Sequence, residues 1–355
     1  MQFGHMIYEI NPRGREFDYD HIQEALYQAR LAEELGYDAV WFGEHHFTGE
    51  SAYGDPIVFA TAVAMQTKRV KLGFAVLEMA MNHPVRVAVQ TALLDNLSEG
   101  RVLVGTARGS RINAYEYTGF GTTVQKGIDS IDEAEDLLIK TWTNTDGLHY
   151  NGEHFQVALP SGRPQTYQKP HPPLFRGAVS RGSVAAMGRQ GRLVLFGAAS
   201  ANEAREHVEL YRSSMLEAGF DKDSVQRNLD QCWIWRNCYV AESDSAAQEE
   251  WIGGLGRWLD GMSKLRAEWN PPSTEMKVQG ADARPLPASE YGEHPDPAAP
   301  EDLIGSPRRV TEQIELLREV GLSNIFLSHL GGVVSSEGGH RSMRLLAESV
   351  FPNFR

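Results

Sequence analysis

The first 105 residues alternate between short apolar runs and longer stretches in which apolar residues recur every three or four positions. The short runs predict buried parallel strands, and the longer period predicts helices that cover them. The predicted strands are residues 1–8, 38–43, 70–77 and 101–105, and the predicted helices are residues 20–36, 55–66 and 85–98. The first helix is expected to begin at a capping Asp20 and to end at Gly36.

The rest of the chain continues this order less regularly. A helix is predicted over residues 125–140, a hairpin-like excursion follows it through His149 and Phe155, and further strands are predicted at residues 172–177, 193–196, 232–240 and 324–327. Eight strands that alternate with helices indicate an α/β fold, a single (β/α)8 TIM barrel over residues 1–355 with insertions. A doubly wound sheet would need a glycine fingerprint near the N-terminus, which the sequence lacks.

Residues 270–306, between the seventh helix and the eighth strand, hold several prolines and charges but few apolar residues. A segment of this composition packs no core of its own. A loop of this length beside a barrel mouth is typical of an active-site lid, and an inert surface insertion is the alternative. We therefore expect a mobile lid there.

Composition narrows the class of protein. The net charge of −13 argues against nucleic acid or an anionic membrane as a partner. The two cysteines, Cys232 and Cys238, fit a reducing compartment, and their spacing matches no common zinc site. No apolar run approaches about 18 residues and the N-terminus lacks a signal-peptide pattern, so we expect a cytoplasmic protein.

The strand at residues 38–43 ends in a charged motif, Glu44-His45-His46-Phe47. Chemistry in such barrels takes place at the C-terminal strand ends. Adjacent residues on a strand face opposite sides, so one imidazole enters the barrel mouth and serves as an acid or base. We expect that residue to be His45 and expect His46 to pack against helices. A structural pairing of His45 with a neighbouring carboxylate such as Glu44 is the alternative.

Two loops at the same face suit a phosphate. Arg108 follows the fourth strand within a run of small residues, and Ser180 and Ser183 open the helix that follows the fifth strand. Simple helix capping is the alternative for the serines. With Ala75 and Val76 as an apolar wall between them, the loops indicate a phosphorylated cofactor across the mouth. Flavin, nicotinamide and pyridoxal phosphates all remain open at this point.

Several ordered motifs together resemble the bacterial luciferase-like monooxygenase family over nearly the whole chain. They are ELGYDAVWFGEHHF at residues 34–47, HPVR at 83–86, LDNLSEGR at 94–101, GTARG at 105–109, GSP at 305–307 and GLSNI at 321–325. The resemblance implies a TIM barrel and, by analogy, a homodimer. It also implies FMNH2 delivered by a separate NAD(P)H:flavin reductase. O2 is then activated as a C4a-peroxyflavin that oxidises an aldehyde-, ketone- or sulfonate-like substrate.

The resemblance also implies roles for individual residues. His45 matches the histidine assigned acid–base work, Arg108 matches the arginine that contacts the flavin phosphate, and a non-proline cis peptide that supports the flavin ring falls on Ala75–Val76. Ala107 stands where luciferase has a reactive cysteine, which puts light emission and long-chain aldehyde use in doubt.

The loop after the fifth strand is expected to complete the phosphate site. The residues concerned are Val179, Ser180, Arg181, Gly182 and Ser183. In the family the hydroxyls here help to bind the phosphate. Because Val179 replaces a glutamate of luciferase, any contact from that position is through its backbone.

Three other functions remain open. An F420-dependent oxidoreductase of the same superfamily would transfer hydride without O2, and a non-catalytic flavin-binding relative would bind flavin without turnover. A metal-dependent hydrolase would need ligands such as His5, His45 and His329 to converge. We expect no metal in the site.

Overall fold

The computed structural model describes residues 1–11, 14–197, 200–270 and 303–355. The strands in these residues are β1 (Gln2–Ile7), β2 (Ala39–Phe42), β3 (Lys71–Phe74), β4 (Leu77–Glu78), β5 (Val102–Ala107), β6 (Leu148–Asn151), β7 (Gln156–Leu159), β8 (Leu174–Ala178), β9 (Leu193–Gly197), β10 (Trp233–Val240), β11 (Leu303–Gly305) and β12 (Asn324–Ser328).

The helices lie mainly between the strands. They are α1 (Asp18–Glu34), α2 (Pro56–Gln66), α3 (Pro84–Leu97), α4 (Ala114–Gly119), α5 (Val124–Thr143), α6 (Arg181–Gln190), α7 (Ala201–Glu217), α8 (Lys222–Leu229), α9 (Asp244–Trp269), α10 (Pro307–Glu319) and α11 (Ser336–Leu345). In the described part of the chain, no helix has both the length and the apolar character needed to cross a membrane.

The parallel strands close into a barrel. Their order is β1-β2-β3-β5-β8-β9-β10-β12, and β12 pairs with β1 through the register Gln2↔Asn324. β6 and β7 form the predicted hairpin outside the barrel, and β4 continues β3 by pairing with β5. The predicted (β/α)8 architecture is confirmed.

Aromatic rings fill the interior of the barrel. Trp41 stacks on Phe326 and meets Phe175 and Trp233 edge-on. A Cβ atom at Gly73 would lie 2.3 Å from the Trp41 ring, so the indole occupies space that only glycine leaves open. This layer forms a packed floor beneath the C-terminal strand ends, where the chemistry of this fold is placed.

Two predictions about the elements were wrong in detail. The third strand is interrupted between Phe74 and Leu77 by a cis peptide at Ala75–Val76. Helix α1 begins at Asp18, and its N-cap residue, Phe17, makes no capping hydrogen bond through its side chain, so Asp20 lies within the first turn.

The predicted lid at residues 270–306 also needs correction. Residues 303–305 form the buried strand β11, which pairs with β10 through Cys238↔Leu303, and Ser306 caps α10. A strand of three residues is too short to leave a readable period. The remainder of the predicted lid, residues 271–302, lies outside the described residues.

Candidate active site

A cavity of about 560 Å³ opens at the C-terminal ends of the barrel strands. His45 after β2, Ala75 and Val76 between β3 and β4, Ala107 at the end of β5 and Val179 after β8 all line it. The structure therefore brings together five of the residues that the sequence pointed to. The other predicted residues, Arg108 and residues 180–183, do not line the cavity but directly follow the lining residues Ala107 and Val179. The site therefore has two ends, which differ in character.

The imidazole end is the group of side chains around His45. Its members are His45, Glu50, Glu78, Asn113, Glu116 and Arg266. Strand β2 ends at Phe42, so His45 lies in the loop beyond the strand. Tyr53 accepts a hydrogen bond from the Gly43 N–H (3.0 Å) and Glu116 accepts one from the His46 N–H (2.8 Å), and these bonds fix the loop.

His45 lies among carboxylates. Its Nδ1 is 3.3 Å from Glu116 Oε1 and 3.9 Å from Glu50 Oε2. The amide nitrogen of Asn113 is 3.2 Å from the same Nδ1, and the ring of Tyr8 meets the imidazole edge-on at 5.6 Å. The alternative, a histidine satisfied by a neighbouring carboxylate, agrees with these contacts, but the carboxylates are those of Glu116 and Glu50. The example considered, Glu44, contacts His46 instead (3.1 Å).

These neighbours set the charge of His45. Burial alone would lower the pKa of the imidazole, but the carboxylates of Glu50 and Glu116, helped by Glu78, raise it to about 10. A pKa in that range means that the ring is an imidazolium at neutral pH. His45 can therefore act as an acid from the resting state.

Glu50 is ionised because it is well bonded. Tyr8 donates a hydrogen bond to it (2.6 Å), Asn113 donates another (2.9 Å), and the guanidinium of Arg266 lies 3.7 Å away. Burial raises the pKa of Glu50, but His45, Tyr8 and Arg266 outweigh that effect and lower it overall. Arg266 comes from α9, so the end of that helix is tied to the site.

His46 turns away from the cavity, as predicted. Its ring packs edge-on against Phe120 at 4.7 Å, and its Nε2 contacts Glu44. The physical reason differs from the predicted one, since both histidines lie beyond the strand and their directions are set by loop contacts. His46 is therefore a useful structural counterpart of His45.

The arginine end consists of Arg108 and the N-terminus of α6. Arg108 is exposed and makes no ion pair with the described residues. Ser180 caps α6 by accepting from the Ser183 N–H (3.3 Å), and its hydroxyl donates to Ser183 Oγ (3.1 Å). Arg181 is paired with Glu206 at 2.9 Å, and both are well exposed. The serines thus do serve as a cap, which leaves their part in ligand binding a prediction.

The cis peptide at Ala75–Val76 is present where the resemblance placed it. A Cβ atom at Gly177 would lie 3.2 Å from the Val76 side chain, so the wall between β4 and β8 is narrow there. Gly182 has open space where a Cβ would stand, and the backbone at the start of α6 is accessible. An extended, largely apolar ligand with an anionic tail fits this arrangement.

Sequence reasoning missed the acids that surround His45. Glu50, Glu78 and Glu116 come from three different segments, and Arg266 comes from a fourth. One signal was available for Glu78, since it is a single acid in the apolar run that ends the third strand. Nothing in the local pattern distinguishes Glu116, which lies within α4.

The three histidines considered for a metal site do not converge. The rings of His5 and His329 lie tilted to each other at 5.2 Å in a small separate pocket with Glu9 and Gln28, away from the cavity that His45 lines. Within the described residues, the acids and imidazoles close enough to share a cation are His45, Glu78 and Glu116, whose polar atoms lie within 4.8 Å of one another.

Comparison with protein families and curated proteins gives a consistent result. The model of luciferase-like monooxygenases matches residues 1–324. The alkanal monooxygenase alpha chain of Photorhabdus laumondii is 29% identical over 262 residues, covering 73% of this chain and 70% of that protein. The oxygenase component of flavin-dependent trigonelline monooxygenase from Acinetobacter baylyi is 23% identical over 341 residues, covering 93% and 89%.

Solved structures share the fold. Monooxygenase RslO1 from Streptomyces bottropensis superposes with a TM-score of 0.79 at 26% identity, covering 100% of both chains. The oxygenating constituent of 3,6-diketocamphane monooxygenase from Pseudomonas putida, in complex with FMN, gives 0.74 at 18%, covering 100% and 99%. An F420-dependent secondary alcohol dehydrogenase gives 0.75 at 19%, with the same coverage, so the fold alone leaves the cofactor open.

Proposed function

The chain belongs to the luciferase-like monooxygenase family of flavin-dependent enzymes, and from this premise we propose that it uses reduced FMN to activate O2 and oxidise a small organic substrate. The substrate is an aldehyde, a ketone or a sulfonate. The observation that carries the proposal is the cavity with the charged imidazole of His45 in its lining, together with Arg108 and the N-terminus of α6, which directly follow the lining residues Ala107 and Val179.

The arginine end suits the phosphate of FMN. Arg108 offers a planar guanidinium with no competing partner among the described residues, and the N–H groups at the start of α6 point outward from the helix. Ser180 and Ser183 add hydroxyls beside them. The isoalloxazine ring would then lie along Ala75 and Val76, with Ala107 and Val179 as neighbouring walls.

The imidazole end suits proton transfer. Bound reduced FMN supplies the electrons that activate O2. His45 holds a proton at neutral pH, its Nδ1 is engaged by Glu116, and its Nε2 has no hydrogen-bond partner among the described residues. Proton delivery from Nε2 into the cavity is therefore the role we assign to His45. The apolar walls exclude water from the reacting atoms.

The proposal is tested by loading the purified protein anaerobically with reduced FMN or reduced F420 and then adding O2 with a panel of aldehydes, ketones and sulfonates. We expect FMN-dependent oxygen consumption coupled to an oxidised product. His45→Ala should lower the coupled rate about 100-fold or more. The matched control is His46→Ala, which removes a neighbouring imidazole that faces away from the cavity.

Other outcomes of this experiment would identify the alternative functions. Hydride transfer from F420 that ignores O2 would identify the deazaflavin enzyme, and flavin binding with no turnover would identify a non-catalytic relative. Equal coupled rates in the wild type and His45→Ala would remove His45 from the chemistry.

We propose that FMNH2 is delivered by a separate NAD(P)H:flavin reductase. A relative is named as an oxygenase component, which supports this arrangement. Dependence on NAD(P)H supports our proposal of a cytoplasmic location. Adding a purified flavin reductase and NADH should replace chemically reduced FMN in the assay, whereas NADH alone should not.

We also propose a homodimer formed through α2 and α3. The two helices pack together, and their outward side chains Val58, Met65, Leu93 and Leu97 are between 45% and 64% exposed. Helix α2 carries no charged side chain. An exposed apolar face of this kind is typical of an interface. Sedimentation analysis should find a dimer, and Met65→Glu should shift it to monomer. The control is Tyr19→Glu, which changes an exposed hydrophobic residue outside α2 and α3 and should leave the dimer intact.

A further inference from the structure

The carboxyl group of Glu78 has no role in the chemistry described so far. Glu78 ends β4, is 3% exposed and lines the cavity. Its Oε1 accepts a long hydrogen bond from the Ser110 N–H (3.3 Å). Its Oε2 is fully buried and has no hydrogen-bond partner within the described part of the chain. A buried polar atom left without a partner in a ligand cavity indicates that the ligand supplies one.

No basic side chain of the described residues pairs directly with Glu78, although a ring nitrogen of His45 lies within 4.8 Å of its carboxyl group. His45 and Arg266 are the positive groups of the imidazole end, and they lie against Glu116 and Glu50. Among the described residues, no ion pair within 4.0 Å joins Glu78 to a basic side chain. An unpaired carboxylate in this position would be costly, because burying an isolated charge is far less favourable than protonating it.

The neighbouring acid Glu44 is differently placed. It accepts hydrogen bonds from the Glu78 N–H (2.7 Å) and from the Asn82 side chain (2.9 Å), and it contacts the His46 ring. Several donors suit an ionised carboxylate. Glu44 and Glu78 therefore lie side by side in different surroundings. Glu44 has several hydrogen-bond donors around it, whereas Glu78 has almost none.

We propose that Glu78 is held as a neutral carboxylic acid and that its Oε2–H donates a hydrogen bond to an uncharged oxygen acceptor of the substrate. Glu78 is thus a specificity-determining residue for the reaction proposed above. The inference relies on that proposed function for the identity of the reaction. A carbonyl oxygen meets the requirement, whereas a sulfonate would bring a further negative charge beside Glu44, Glu50 and Glu116.

The electrostatics of the group agree with this assignment. Burial raises the pKa of Glu78 well above its usual value. The positive charge of His45 and the hydrogen bond from the Ser110 N–H act in the opposite direction, whereas Glu116 and Glu44 raise the pKa further. Across the cavity wall, Tyr117 also faces Glu78, and as a neutral phenol it adds no charge. Much of the remaining cavity lining is apolar, with Leu255, Leu259, Phe326 and Leu330 among its members.

The protonation state is tested by infrared difference spectroscopy on the whole protein near pH 7. A carbonyl-stretch band of a protonated carboxyl should be present in the wild type, absent in Glu78→Gln and retained in Glu44→Gln. Absence of the band in the wild type would overturn the inference. So would a stoichiometric divalent cation found by metal analysis in the wild type and lost in Glu78→Gln, since a cation would then occupy the place of the proton.

The donor role is tested by the binding of octanal, followed through tryptophan fluorescence, because Trp235 and Trp258 line the cavity. Glu78→Gln keeps a neutral donor and should change the dissociation constant by less than about threefold. Glu78→Leu removes the donor and should weaken binding about 10-fold. Octane-1-sulfonate should bind the wild type much more weakly than octanal does.

Equal losses in Glu78→Gln and Glu78→Leu would overturn the donor role, as would tight binding of the sulfonate or no binding of octanal to the wild type. Neither measurement needs flavin or O2. If the protein fails to bind FMN while both results hold, the proposed function fails and the assignment of Glu78 as a hydrogen-bond donor stands.

Discussion

The two ends of the site are built in opposite ways. At the imidazole end, His45 and Glu50 are buried or nearly so and are held by side chains from distant segments, including Arg266 on α9. At the arginine end, Arg108 is exposed and unpaired among the described residues, and Ser180 bonds chiefly within its own helix turn. The side chains of His45, Glu50 and Arg266 have charged or hydrogen-bonded partners without a ligand, whereas Arg108 has donors without a partner among the described residues.

This difference indicates that the imidazole end and the arginine end have different roles. A network with its partners already in place keeps its geometry and charge through a reaction, which suits proton transfer. Exposed donors without a protein partner contribute most to the binding free energy of an anion, because no existing hydrogen bond has to be broken first. Mutations that break the ion pairs of His45 and Glu50 should therefore affect mainly stability, and mutations at the arginine end should affect mainly the affinity for an anion.

The largest effect is expected from Glu116→Gln. This change leaves the His45 imidazolium without its nearest counter-charge, and breaking a buried pair in this way costs about 3–5 kcal/mol of unfolding free energy. Chemical denaturation measures it. Glu206→Gln, which removes a well-exposed partner of Arg181, is the control and should cost less than about 1 kcal/mol. Equal losses in the two variants would contradict the comparison.

The same variant should change the pH dependence of stability. The pKa of His45 rises from 6.5 to about 10 on folding, so the stability it contributes is fully present below pH 6.5 and is lost as the pH rises through 10. Glu116→Gln should flatten the curve of unfolding free energy between these values. A curve with the wild-type slope would show that Glu116 does not hold the charge of His45.

Gly109→Ala should destabilise the turn between Arg108 and the residues that contact Glu78. Gly109 has a φ of +109°, and a Cβ atom there would lie 2.6 Å from the Tyr117 hydroxyl and 3.3 Å from Glu78 Oε2. We expect a loss of about 2 kcal/mol in thermal or chemical unfolding. Gly182→Ala, where a Cβ has open space, should leave stability nearly unchanged. Unchanged stability of Gly109→Ala would mean that this turn is less constrained than its contacts indicate.

Arg108→Ala should weaken FMN binding about 10- to 100-fold, as the loss of a charged hydrogen-bonding partner of a phosphate does. Riboflavin, which lacks the phosphate, should bind the variant and the wild type alike. Arg189→Ala, at the opposite end of α6, controls for the loss of a positive charge. A parallel loss of riboflavin affinity would place Arg108 against the ring system instead.

Arg181→Ala should have the smallest effect, although the sequence pointed to Arg181 as well. Its guanidinium already pairs with Glu206, so we expect FMN affinity to change by less than about threefold. Glu206→Ala should free the arginine and tighten FMN binding slightly. Calorimetric titration measures both, and a loss in Arg181→Ala as large as that in Arg108→Ala would contradict the ranking.

The sequence located His45 because its motif follows a strongly apolar strand, and the barrel places every such strand end at one face. It did not identify Glu116, which is 71 residues further along the chain, as the partner of His45. The sequence did not point to Arg266 either, because it lies near the end of a long helix and belongs to no motif. Strand β11 was missed because three residues carry no period.

Local pattern alone determined the order of strands and helices in this protein, and with it the face on which the functional residues gather, because side-chain periodicity is a property of neighbouring positions. Tertiary structure alone decided which acids surround the imidazole, which are ionised and which arginine is free. Those properties depend on burial and on through-space distances between segments that the chain separates by tens of residues.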